Sequence, residues 1–282
     1  MIKKSQLSFL LIFCCFTSNV LAQSFSVASY NIRFDAKGDS GNLWVNRSPV
    51  LVNQIRYHDF DIFGTQEGQK HQLDFISQEL PQYSRYGKGR DSGGDSGEHS
   101  AIYFKKNMFT LLNSGDFWLS ETPNVPGKGW DATCCNRICS WVYLEHAKSK
   151  KKFYVFNVHF DHQGVVARNE SAKLMISKIK EIAGDEPTLL TGDFNGDRSS
   201  KWYLALEQSE LLTDTYSDVK YPYENNSSFN SFRTPTSKAV IDHIFRTKHF
   251  KASKWAILTD SYFGKFPSDH FPVVATVRFE KK

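Results

Sequence analysis

Short runs of alternating apolar residues recur along the chain, separated by turn residues. Residues 25–32, 61–65, 101–104, 138–144, 153–160, 188–191, 240–245 and 273–279 all read this way, and a period of two bounded by turn signals predicts strands. Three stretches switch to helical spacing: 49–57, 72–80 and, most clearly, 165–183, where Ala172, Met175, Ile176, Ile179 and Ile182 share one face. Residues 87–97 are rich in Gly, Asp and Ser and predict a mobile surface loop, and 123–129 and 221–228 predict further loops. Many strands with few interspersed helices imply two packed sheets with helices outside.

The first 22 residues stand apart from this pattern. Lys3 and Lys4 precede an apolar run over 7–16, and Val20-Leu21-Ala22 supplies the small-residue site of a cleavable signal peptide. The run is too short to span a bilayer, which argues against a retained anchor. A secreted or periplasmic protein is expected, with a single domain over 23–282 that is soluble and monomeric. The formal charge of +5 falls to +3 once Lys3 and Lys4 leave, an excess too small to imply nucleic acid. Cys134, Cys135 and Cys139 would remain. An oxidising compartment favours a local disulfide, with Cys135–Cys139 the expected pair; three clustered sulfurs without a nearby histidine fit zinc poorly.

Chemically capable residues sit at the ends of the predicted strands. Gly192-Asp193-Phe194-Asn195 follows residues 188–191, and a carboxylate and an amide two positions apart can hold a water and stabilise charge on a phosphoryl oxygen. The same residues can also merely cap a turn. Asn157-Val158-His159-Phe160-Asp161-His162 ends another strand, with His159 and Asp161 on one face and His162 on the other. Ser268-Asp269-His270 sets a metal ligand beside a general base. Asp242, in a strand interior, needs a partner, and His270 is the candidate. Glu67 needs further oxygen donors to hold a metal, and Asn31 offers one. Glu98 can orient His159. Arg137 can grip a phosphate or form a surface salt bridge. Trp44 and Trp130 can stack on a base or sugar, although loop tryptophans more often cover core.

The ordered series Asn31, Gln66-Glu67, Asn157-Val158-His159, Gly192-Asp193-Phe194-Asn195, Ile241-Asp242-His243 and Ser268-Asp269-His270 resembles the endonuclease/exonuclease/phosphatase superfamily. The resemblance runs from Phe25 to Phe279. It implies a four-layer α/β/β/α sandwich, with two mixed β-sheets face to face and helices outside, and one or two Mg²⁺ or Mn²⁺ ions. It also implies that Glu67 is the principal metal ligand, with Asn31 nearby and Asp269 contributing. Asp193 and Asn195 would position the attacking water and the phosphate. His270 supported by Asp242, and His159 supported by Glu98, would flank the scissile phosphate, with Asp193 or His270 as the base.

The expected activity is hydrolysis of a phosphate mono- or diester; nucleic acid, lipid and sugar phosphates all stay open as substrates. Arg33 stands where abasic-site endonucleases place an acid, which weakens that branch of the resemblance, and no long basic helix is present to thread duplex DNA. A non-catalytic binding protein on the same scaffold is the alternative, and the retained acids and histidines argue against it. No Gly-x-Ser-x-Gly elbow supports a serine hydrolase.

Overall fold

The computed structural model describes residues 24–280; the expected signal peptide lies outside them. The first half of the chain runs β1 (Ser24–Asn31), α1 (Trp44–His58), β2 (Ile62–Gln66), α2 (Lys70–Glu79), β3 (Tyr83–Tyr86), β4 (Ile102–Lys105), β5 (Phe109–Trp118) and β6 (Ile138–His146). It continues through β7 (Lys152–His159), α3 (Val165–Ala183), β8 (Thr188–Asp193), α4 (Lys201–Glu207), β9 (Thr213–Asp214), β10 (Asp242–Arg246), β11 (Phe250–Ile257) and β12 (Val273–Phe279). Two six-stranded sheets result, ordered β11-β12-β1-β2-β4-β3 and β5-β6-β7-β8-β10-β9. Each is mixed, because β1 pairs with β2, and β7 with β8, in parallel while their other neighbours are antiparallel.

Three separate apolar clusters make this a four-layer sandwich. Between the sheets, Phe25, Val27 and Ile62 meet Val142, Phe153, Val155 and Leu189. On the outside of the first sheet, Ala28, Tyr30 and Phe63 receive Leu51, Val52 and Ile55 of α1 and Leu73 and Ile76 of α2. On the outside of the second, Phe156, Val158 and Leu190 receive Ala172, Met175 and Ile179 of α3 and Leu206 of α4. Alternate residues of β7 therefore serve two different cores, as the pleat requires.

The inward face of the central strands turns polar toward one end. Phe25 and Val27 give way to Ser29 and Asn31; Phe153 and Val155 to Asn157 and His159; Leu189 to Thr191 and Asp193. A buried layer of hydrogen bonds marks the transition. Gln66 Nε2 donates to Asn157 Oδ1 (2.7 Å), Thr191 Oγ1 donates to the same oxygen (3.0 Å), and Asn157 Nδ2 donates to the Thr65 carbonyl (2.8 Å). Gly64 makes room for it, since a Cβ there would collide with Asn157 Oδ1 and Thr191 Oγ1. Parallel pairing brings the carboxyl ends of β1, β2, β7 and β8 to this one edge, and antiparallel pairing adds the amino ends of β10 and β12.

Several sequence expectations are corrected. α1 begins at Trp44 rather than 49, because Trp44 and Arg47 are buried and anchor an earlier turn. The 87–97 segment is not slack: Arg90 N donates to the Glu98 carbonyl (2.9 Å), and Gly89 N to that of Gly94 (2.6 Å). Cys134 is bonded to its neighbour Cys135, whereas Cys139 is a free thiol buried on the α3 side of β6, beyond reach of the expected pairing. Among the described residues no helix is long and apolar enough to cross a membrane.

Candidate active site

A cleft of about 630 Å³ opens at the polar edge, with Asp193 on its floor. Asp193 ends β8 and lies in register with His159 of β7 on one side and Asp242 of β10 on the other. Its Oδ1 accepts from the Asn195 amide (2.9 Å) and its Oδ2 from Asn31 Nδ2 (3.0 Å). The two imidazoles stand either side of that Oδ2, His159 Nε2 at 3.5 Å and His270 Nε2 at 3.7 Å. Burial and the charge of Asp242 push the Asp193 carboxyl up to about 7, against the pull of His270.

His270 Nδ1 lies 2.9 Å from Asp242 Oδ2 in a fully buried pair. Burial opposes the imidazolium, but Asp242 and Asp193 outweigh it and raise His270 to about 10. At neutral pH His270 is therefore a cation, suited to holding an anionic oxygen rather than to taking a proton. Asp242 opens β10 instead of lying inside it, and its second oxygen has no partner.

His159 is the opposite case. Its Nδ1 faces Arg137 Nη1 at 3.1 Å. A guanidinium can only donate, so Nδ1 accepts and the ring proton sits on Nε2, toward Asp193. Burial, then the Arg137 charge, hold His159 well below its ordinary range. Glu98 does not support His159. It receives a bidentate pair from Arg90 (2.6 and 2.8 Å), and burial pushes it up to about 7. Arg137 is no surface residue: it is buried, contacts Asp161 Oδ2 (3.4 Å) and donates to His162 Nδ1 (2.7 Å). His162 joins His159 in the cleft because β7 stops at His159 and strand alternation no longer applies.

Glu67 follows β2 with φ of +64°, a conformation that turns its carboxylate into the cleft. Asn31 Nδ2 donates to Glu67 Oε1 (3.1 Å), and the Phe34 amide to Oε2 (3.2 Å). Asn31 thus bridges Glu67 and Asp193 with its amide nitrogen, while its oxygen accepts from the Arg33 amide (3.0 Å). Asp269 completes the acidic corner; burial and the Glu67 charge push it up to about 6. Arg33, at 3.7 Å from Glu67 and 3.8 Å from Asp269, partly offsets these acids together with the His270 charge, and it is already paired with Asp39 at 2.9 Å. Two crowded carboxylates with hard oxygen donors fit Mg²⁺ or Mn²⁺. The ligand atoms of Asp193, Asp242 and His270 also lie within 4.8 Å of one another, but His270 as an imidazolium has no lone pair to offer a metal.

Trp44 is not a substrate platform. It is buried in the first turn of α1, edge-on to Phe75 at 6.0 Å and beneath the Arg47 guanidinium. Arg47 in turn donates to the carbonyls of Ile32 (2.6 Å), Arg33 (2.6 Å) and Pro267 (3.1 Å), tying the loop after β1 to the one carrying Asp269 and His270. Sequence reasoning missed Arg33 and Arg90 as cleft residues, along with the apolar Phe34, Phe229 and Ile241. Arg33 lies two residues beyond Asn31 and Ile241 opens the Ile241-Asp242-His243 motif; Arg90, Phe34 and Phe229 carry no local signature.

A two-sheet sandwich with paired histidines and acids at one strand edge defines a hydrolytic phosphoesterase architecture. The chain belongs to the Endonuclease/Exonuclease/phosphatase family, whose model matches residues 28–270; that family is generally divalent-metal dependent. A family protein of Bacteroides thetaiotaomicron is 44% identical, with a TM-score of 0.89 over 92% of this chain and 99% of its own. The structure of a mannosyl-6-phosphatase of Bacteroides thetaiotaomicron VPI-5482 is also 44% identical, with a TM-score of 0.88 over 90% of this chain and 100% of its own. Uncharacterized protein L388 of Acanthamoeba polyphaga mimivirus is 29% identical over 246 residues, covering 82% of this chain and 91% of that protein.

Proposed function

We propose that this chain is a divalent-metal-dependent phosphatase that removes the phosphoryl group from a sugar phosphate outside the cytoplasm. The observation that carries the reading is Asp193, pushed up to about 7, between a cationic His270 and a neutral His159. A carboxylate with that proton affinity is matched to accepting a proton from water near neutral pH. The attacking water gives its proton to Asp193 as its oxygen bonds to phosphorus; the bond from phosphorus to the ester oxygen breaks, and the sugar leaves as the alcohol once that oxygen takes a proton from the His270 imidazolium. The His270 imidazolium and the His159 Nε2–H face the phosphoryl oxygens, where charge concentrates in the transition state. Asn195 donates its side-chain amide to the Phe160 carbonyl (3.0 Å) and its backbone amide to Asp193 Oδ1 (2.9 Å), which holds the carboxylate in place. Bound by Glu67 and Asp269 beside Asn31, Mg²⁺ or Mn²⁺ would neutralise phosphoryl charge.

Two features favour a small monoester over a polynucleotide. Each cleft arginine is matched to a carboxylate, Arg33 to Asp39, Arg90 to Glu98 and Arg137 to Asp161, which leaves no cationic track for a phosphate backbone. The 44% identical mannosyl-6-phosphatase supports a sugar phosphate. The signal-like N-terminus and the Cys134–Cys135 bond support an oxidising compartment. The test is a panel of hexose phosphates, nucleic acids, bis-aryl phosphodiester and sphingomyelin, each with Mg²⁺, Mn²⁺ or chelator. Metal-dependent release of phosphate from a hexose phosphate is expected. Dominant DNA or RNA cleavage would overturn the reading, and silence throughout would favour a binding protein.

A further inference from the structure

Most of the cleft lining is polar and charged, but parts of its wall are not. Cys134 and Cys135, joined through their sulfurs, line it two residues before Arg137, the residue that contacts His159. Phe229 lines it beside the other histidine: its ring stands edge-on to His270 at 5.0 Å and is 41% exposed. That exposure is not slackness. The Phe229 amide donates to Ser227 Oγ (3.0 Å), Ser227 Oγ donates to the Phe229 carbonyl (2.6 Å), and the segment bridges to His270. Asp193 lies between the two histidines, and the disulfide turn and the phenyl ring both line the cleft that holds it.

Phosphoryl chemistry asks for donors and cations, and neither feature supplies one. A disulfide between adjacent residues presents soft, polarizable sulfur with no hydrogen to donate. A phenyl face offers apolar area. Both also cost solvation while the cleft is empty of an organic group, since they leave apolar surface facing water. What they match is a ligand whose phosphoryl end is anionic and whose body carries C–H faces, as a pyranose ring does. Cys139 cannot exchange into the pair, because it is buried beneath α3.

We infer that the Cys134–Cys135 turn and Phe229 form the subsite that receives the C–H faces of the sugar ring and so select the organic part of the substrate. The inference rests on the phosphatase reading. Its test compares a hexose 6-phosphate with methyl phosphate, which has the same phosphoryl group and no ring, in the full chain with Mg²⁺. Cys134→Ser/Cys135→Ser and Phe229→Ala should each lower the ratio of kcat/KM for the hexose ester to that for methyl phosphate by about tenfold, the scale of a lost apolar contact in a specificity pocket, with the change in KM. Mild reduction of the wild type should lower the ratio as the double serine variant does, and reoxidation should restore it, which separates the effect from misfolding. An unchanged ratio in the variants, or an equal fall on both esters, overturns the subsite. If the wild type turns over neither monoester, the phosphatase reading itself fails and the subsite falls with it.

Discussion

Replacing Asp242 with Asn removes a charge while keeping an oxygen that can still accept from His270 Nδ1, now 2.9 Å away. The effect can be sized from the proton affinity of His270, raised from 6.5 to about 10. Each pH unit is worth about 1.4 kcal/mol, so the rise corresponds to about 5 kcal/mol favouring the cationic folded form. Because the folded value is the higher one, this stability is fully present below pH 6.5 and is lost as pH climbs from there toward 10. Asp193, raised from 3.8 to about 7, loses its own contribution in a lower window, so the two separate above neutrality. Urea unfolding of wild type and Asp242→Asn, followed by tryptophan fluorescence from about pH 6 to about pH 10, reads the difference directly. The variant should be less stable by about 3–5 kcal/mol at the acid end, the cost of breaking a buried pair, and the gap should narrow toward pH 10. Parallel curves across the window would refute the assignment of His270 as a cation held by Asp242. Turnover at neutral pH should fall by about 10²–10⁴-fold in the same variant.

Four further outcomes are expected. Glu67→Gln should remove Mg²⁺-stimulated turnover, seen as a lost response in a metal titration; a normal response would displace Glu67 from the metal corner. Arg137→Gln should let His159 bind a proton more readily, observed as an upward-moving titration of its ring signals by NMR. An unmoved His159 titration there would sink the tautomer argument. Gly64→Ala, forcing a methyl group against Asn157 and Thr191, should cost about 1–3 kcal/mol in denaturant unfolding, and unaltered stability would show that layer to be adaptable. Trp44→Ala should destabilise by about 3–5 kcal/mol without raising KM; a raised KM would return Trp44 to the substrate.

The sandwich was legible because its central strands carry strong period-two patterns, and because α3 has an apolar face that only a sheet could cover. β5 and β11 escaped because both have exposed mid-strand residues and a register irregularity, near Leu111 and Lys254, that breaks the alternation. Within the site, Asp193, His159 and His270 were readable as strand-end polar residues, and Asp242 as the partner of His270. The partners of His159 were not. Whether His159 meets Glu98 or Arg137 depends on how the 87–98 and 119–137 loops fold back, and loop side chains leave no periodic trace. The vicinal Cys134–Cys135 bond was missed for a related reason: Cys139 looked available until β6 turned its side chain toward α3.

β12 lies between β1 and β11 in the first sheet, and His270 enters the cleft shortly before it. A chain still being synthesised can assemble the second sheet from contiguous segments, yet it lacks both the strand that unites β1 with β11 and the imidazolium beside Asp193. The first sheet and the cationic side of the cleft are therefore completed by one event, the docking of β12.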